Sequence, residues 1–303
     1  MKSFLLSLLC VTFINAAGSF SPLPDHLSTD MNKVELGKTL FFDLQFSSDK
    51  TISCASCHQL DKGGADGREV SVGVGQKKGK FNTPSIFNSS LNMTQGWTSS
   101  DTRIRQRAKS AFVNPDEMNG DIASILAYIK KTPAYIKKFN KSYQNISEEA
   151  LFDAIETYVS TLLTPSAFDD YLKGDDNALS QSAKRGLKLF QEKGCISCHN
   201  GVNIGGGMYQ KLGLFNEETL NRGDDLGRYT VTKKEKDRYV YKVPSLRNVA
   251  LTAPYLHDGS VKTLREVIRI VEIYQLGEEF TNDQIDDIES FLRSLSGRVS
   301  HEH

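Results

Sequence analysis

Two pentapeptides carry the most specific chemistry in the chain, Cys54-Ala55-Ser56-Cys57-His58 and Cys195-Ile196-Ser197-Cys198-His199. Two thiols at this spacing can form thioethers to the two vinyl groups of one haem, and the adjacent histidine then lies under the iron as proximal ligand. Cys54, Cys57, Cys195 and Cys198 are therefore expected to attach two haem c groups, with His58 and His199 as iron ligands. A thioredoxin-like redox pair would need a preceding strand and a parallel sheet, and neither is visible in the pattern. A zinc site would need the two pairs to converge, although a long stretch with distinct flanks separates them.

The elements that must position these motifs occur twice. Leu36-Gly37-Lys38-Thr39-Leu40-Phe41-Phe42 precedes the first motif and Arg185-Gly186-Leu187-Lys188-Leu189-Phe190 the second, each reading as a short amphipathic helix that opens a domain. Ile155 to Leu162 and Ile288 to Leu295 follow later, with apolar residues at i, i+3, i+4 and i+7. Tyr158 and Phe291 fall on these apolar faces and read as core packing. Thr281 and Gln284 form a capping box for the last helix, Ser147 can cap its counterpart, and Gly297 suits the C-terminal stop. Thr164 to Ser182, with Pro165, Gly174, Asp175 and Asp176, reads as the connection between domains. The glycine-rich stretch Gly63 to Gly79 reads on composition as a surface loop, whereas Gly201 to Gly207 directly follows a haem motif and suits close backbone approach to the porphyrin. The expected fold is mainly α, with two tandem cytochrome-c-like domains that each bind one c-type haem covalently.

Composition excludes other classes. The chain has 303 residues, 37 Lys plus Arg against 37 Asp plus Glu, so no basic field favours nucleic acid or anionic lipid. No apolar run has the length of a membrane span. The N-terminus has Lys2, an apolar stretch from Phe4 to Ile14, and then Asn15, Ala16, Ala17 and Gly18, the order of a cleaved export signal over residues 1–17. Cys10 would leave with it, and the mature protein is expected in the periplasm.

Beyond the haem motifs, the chain resembles the bacterial di-haem cytochrome c peroxidases and their relative MauG over essentially the whole mature length. The matching runs include Glu35-Leu36-Gly37-Lys38, Ile52-Ser53-Cys54 to His58, Asn82-Thr83-Pro84, Asn114-Pro115-Asp116-Glu117-Met118, Leu246-Arg247-Asn248-Val249-Ala250, Thr252-Ala253-Pro254-Tyr255, His257-Asp258-Gly259 and Gln275-Leu276-Gly277. The resemblance implies an N-terminal domain over 18–165 whose haem reacts with hydrogen peroxide. It also implies a C-terminal domain over 166–303 whose haem takes electrons from a small cytochrome c or cupredoxin, with a homodimer as the assembly considered. It implies that Glu117 is the active-site acid–base residue and that Trp97, the only tryptophan, lies between the haems. It further implies that Asn82, Thr252 and Pro254 supply an inter-domain calcium site and that Arg247 lies near haem propionates.

Three positions depart from the family pattern. Many members place a histidine after Ser-x-Gly to close the peroxide haem; here Val74 follows Ser71-Val72-Gly73, so that haem is expected to be open. The usual methionine ligand of the second haem is replaced by Val271, with Tyr274 one helical turn later as a candidate sixth ligand. Trp97-Thr98-Ser99-Ser100 stands where Trp-Asp-Gly-Arg is common. The reading is a periplasmic peroxidase, with two rivals: a MauG-like enzyme that oxidises residues of a partner protein, and a non-catalytic electron carrier. The carrier would need both irons six-coordinate, which the shortage of spare histidines opposes.

Overall fold

A computed structural model describes residues 19–24, 29–215 and 224–299. The export-signal segment with Cys10 lies outside the described residues, as do His26, His301 and His303.

The first half contains α1 (Met31–Phe42), the single turn α2 (Cys54–Cys57), α3 (Ile104–Val113), α4 (Ile122–Lys131), α5 (Pro133–Ser142) and α6 (Glu148–Ser160). The second contains α7 (Ala167–Leu172), α8 (Gln181–Glu192), the short α9 (Tyr229–Thr232), α10 (Leu264–Val271) and α11 (Asn282–Ser294). β1 (Tyr209–Lys211) and β2 (Val240–Lys242) pair antiparallel, with Tyr209 opposite Lys242.

The internal repeat has a packing reason. A Cβ at Gly37 in α1 would overlap the carbonyl of Ala154 in α6, and a Cβ at Gly186 in α8 would overlap the carbonyl of Asp287 in α11. Each half therefore crosses its opening helix over its closing helix at a glycine, where two backbones come closer than any side chain permits. Beside these crossings Phe41 packs edge-on to Tyr158 and Phe190 to Phe291, with ring centroids 5.4 and 5.2 Å apart. Tyr158 and Phe291 are buried in two separate apolar cores, one per half.

Ser147 accepts the Ala150 N–H at the start of α6, and Thr281 and Gln284 exchange side-chain and backbone hydrogen bonds at the start of α11. Gly297 has a different role from the helix stop expected of it. α11 ends at Ser294, and Gly297 is small because the carbonyls of Thr164 and Pro165 press against its Cα. The segment from Thr164 to Ser182 is likewise more than a connection. It contains α7, and Thr164 is fully buried, its Oγ1 accepting from the amides of both Asn88 and Asn248 at 2.7 Å. The chain ends also cross between the halves: Phe20 packs in the second core and Val299 against the first.

Candidate active site and haem centres

The single turn of α2 places Cys54, Cys57 and His58 together, with the Ser53 N–H answered by Ser56 Oγ and the His58 N–H by Cys54 O. Burial pushes the Cys54 thiol up to about 12 and the Cys57 thiol to about 11, the latter helped by the negative charges of Asp66 and Glu117. His58 Nδ1 lies 3.2 Å from the Gly64 carbonyl. A proton on Nδ1 donated to that carbonyl fixes the tautomer that leaves the Nε2 lone pair free for iron.

Glu117 sits in the turn after α3. Arg107, in the first turns of α3, donates from Nη2 to Glu117 Oε1 at 2.7 Å and to Oε2 at 3.0 Å, and Asn114 Nδ2 donates to Oε1 at 3.0 Å. Oε2 therefore keeps the larger share of its accepting capacity. Burial lowers the His58 pKa and the Gly64 carbonyl raises it, while the charges of Arg107 and Glu117 reach the same ring with opposite signs. The acid–base candidate and its arginine thus lie in the electrostatic neighbourhood of the first haem ligand. The glycine-rich loop is docked here: Val74 is buried, its N–H donates to Glu117 O at 2.8 Å, and Gly73 leaves no room for a Cβ against the carbonyls of Asp116 and Glu117.

At the second motif Cys195 and Ser197 bound one 3-10 turn, and His199 N–H donates to Cys195 O at 3.0 Å. Cys195, Cys198 and His199 line a cavity of ≈ 300 Å³ whose apolar wall includes Phe190, Leu264, Ile268, Phe280 and Leu292. Burial pushes His199 down to about 4, more than the facing carbonyls of Ile204 and Pro244 restore, so the ring is neutral. Its Nδ1 is buried and makes no well-formed hydrogen bond. Gly205 packs against this ring and the Pro244 carbonyl, where a Cβ would not fit, so this glycine brings backbone close to the His199 imidazole. Two thiols and a neutral imidazole in an apolar cavity are the donor set and surroundings that a covalently held porphyrin requires.

Trp97, Asn82, Thr252 and Pro254 line the same cavity. The Trp97 indole N–H donates to Asn82 O at 2.9 Å, and the Asn82 amide donates to Arg68 O at 2.8 Å. Val271 and Gln275 are on the wall, whereas Tyr274 is not among the lining residues. Residues Glu272–Leu276 form a π-helical turn that follows Val271 and carries both Tyr274 and Gln275. Arg247 reaches the cavity, but its guanidinium is committed to a fully buried ion pair with Asp169 at 2.8 and 2.9 Å and to the Val202 carbonyl.

A family model for di-haem cytochrome c peroxidase matches residues 31–177, and one for cytochrome c matches 183–296. The chain is 39% identical over 296 residues to the cytochrome c551 peroxidase of Pseudomonas aeruginosa, covering 93% of this chain and 86% of that protein. It belongs to the di-haem cytochrome c peroxidase family. It is also 43% identical over 283 residues to the cytochrome c peroxidase Ccp of Escherichia coli, covering 91% of this chain but spanning only 60% of that longer protein. A solved MauG-like protein associated with microbial copper homeostasis superimposes with a TM-score of 0.79 at 25% identity, covering 93% of this chain and 94% of that one. Membership of the di-haem peroxidase family gives the two Cys-x-x-Cys-His turns their cofactor, one covalent haem c each.

Sequence reasoning missed Arg107 and the Asn88–Thr164–Asn248 junction. A signal for the junction is present: Pro84-Ser85-Ile86-Phe87-Asn88 and Pro244-Ser245-Leu246-Arg247-Asn248 are a second internal repeat. Both asparagines adopt the left-handed conformation, with φ of 58° and 62°.

Proposed function

We propose that this family member reduces hydrogen peroxide to water in the periplasm, with electrons from a small cytochrome c or cupredoxin. The observation that carries the reading is the Glu117 carboxylate, held by Arg107 and Asn114, with its charge reaching Cys57 and His58 of the first haem motif. The bound haem of His58 supplies the iron at which the peroxide O–O bond is cleaved. Glu117 takes the proton from the near oxygen of peroxide at Oε2 and returns it to the departing oxygen. Over the whole reaction one peroxide, two electrons and two protons give two waters.

In this scheme residues 18–165 bear the peroxide-reactive haem and residues 166–303 the electron-receiving one. Trp97 stands on the wall of the second haem cavity, where an indole can pass electrons toward the first. A calcium ion held by Asn82, Thr252 and Pro254 completes the junction; these residues share one cavity, and carbonyl oxygens suit a hard cation. Peroxide turnover measured with a reduced small cytochrome tests the reading, and absence of turnover by protein carrying both haems would overturn it. The same assay after chelation tests the calcium.

A second reading is a MauG-like oxidation of a partner protein, favoured by Val271 and Gln275, which leave the second haem cavity without the methionine usual at that wall. Consumption of peroxide only when a protein substrate is present would select it.

A further inference from the structure

The second haem cavity contains a cation that the reaction above does not use. Lys242 ends β2 and is 5% exposed, yet it lines the cavity. Its backbone N–H donates to the Trp97 carbonyl at 2.8 Å, and its neighbour Tyr241 stacks on His257 with ring centroids 4.0 Å apart. The Lys242 ammonium makes no hydrogen bond or ion pair to any described residue. Burial alone pushes its pKa down to about 8, and no carboxylate is near enough to raise it again. A buried, uncompensated ammonium is costly, and such groups are normally found with an anionic partner.

The other charged groups on the wall are already committed. Arg247 is paired with Asp169, and His257 Nε2 lies 3.0 Å from Asp225 Oδ2. Glu272 accepts from Arg269 at 2.9 Å and from the Phe280 N–H at 2.8 Å. Thioethers at Cys195 and Cys198 would hold the vinyl-bearing edge of the porphyrin, which would leave its two propionates on the opposite edge. With the haem bound, those carboxylates would enter a mostly apolar cavity, where a cation would answer their charge. We infer that Lys242 is the counter-ion of a propionate on the His199 haem, and that its charge sets how readily this haem accepts an electron. Reduction adds one negative charge to the haem, so a fixed positive charge nearby stabilises the reduced form. Removing that charge favours the oxidised form and moves the midpoint potential negative.

The test uses the protein with both haems attached and compares Lys242→Met with Lys242→Arg. Haem content per chain is measured first, and then the midpoint of each haem is followed by redox titration at its own absorption band. The Met variant should shift the His199 haem negative and leave the His58 haem in place, and the Arg variant should restore most of the shift. An unchanged midpoint in the Met variant overturns the assignment, as does a shift confined to the His58 haem. Should the Met variant fail to hold its second haem, retention of that haem by the Arg variant supports a charge requirement. Equal loss in both variants shows that shape alone matters and refutes it. These readouts do not depend on peroxide turnover, so failure of the peroxidase reading would leave them intact.

Discussion

One nitrogen of Arg107 grips both carboxylate oxygens of Glu117, at 2.7 and 3.0 Å. Glu117→Gln keeps the size and removes the base. Its turnover should fall by about a hundred- to ten-thousand-fold, the usual range for a general acid–base group. Arg107→Met should lower turnover as well, with Arg107→Lys recovering part of it. Haem content and the reduced spectrum of the His199 haem should persist in all three. Wild-type turnover in Glu117→Gln would show that this carboxylate has no proton-handling role.

Val74 stands where a closing histidine is common, and its side chain cannot ligate iron. The fully oxidised protein should therefore show a high-spin ferric haem in its resting electron paramagnetic resonance spectrum and react with peroxide without prior reduction. Val74→His should convert that signal to low spin and impose a reduction step. A wild-type spectrum containing only low-spin species would count against an open first haem.

Gly37→Ala and Gly186→Ala each place a methyl group into a facing backbone carbonyl. Overpacking of this kind costs about 1–3 kcal/mol, and more where backbone must move. Thermal melts should register both losses, and the two should add because the crossings lie in separate cores. A melting temperature unchanged by either substitution would mean that the helices can part without penalty.

Burial by itself would raise the Asp169 carboxyl, but bonds from Arg247, the Leu23 N–H and the Ser166 N–H outweigh it and hold the pKa below the ordinary carboxylate value. A carboxylate with a depressed folded-state pKa contributes its stability above the unfolded value of about 3.9, and that contribution is lost as pH falls through the lower folded value. Asp169→Asn strands the buried Arg247 charge and should cost about 3–5 kcal/mol at neutral pH. Its stability should then vary less with pH in the acid range than that of the wild type. Urea titrations at neutral and acid pH measure both effects.

The haem turns, the opening and closing helices and their caps are legible in the sequence because each depends on residues within a few positions of one another. The features that escape depend on tertiary geometry. Arg107 reads as one of several charges on α3 until the turn carrying Glu117 folds back on it. Lys242 reads as an ordinary lysine until its strand is enclosed. β1 and β2 pair over only three residues each, too few for a periodic signal. The π turn over Glu272–Leu276, which carries Tyr274, leaves no mark in an α-helical count. Ser166 and Asp169 carry a capping-box pattern for α7, but Pro165 and Gly174 on either side favour the reading of a connection.

Phe20 in the second core and Val299 against the first make each half borrow a strap from the opposite end of the chain. The exposed stretch from Lys173 to Asn177 is thus not the only tie between the halves. A protease cutting there would nick the chain without parting it, because separation would require Phe20 to leave its place beside Phe190, 6.5 Å away between ring centroids. In the proposed scheme, an electron crossing from one haem to the other would pass between halves clasped by both chain termini and not by the linker alone.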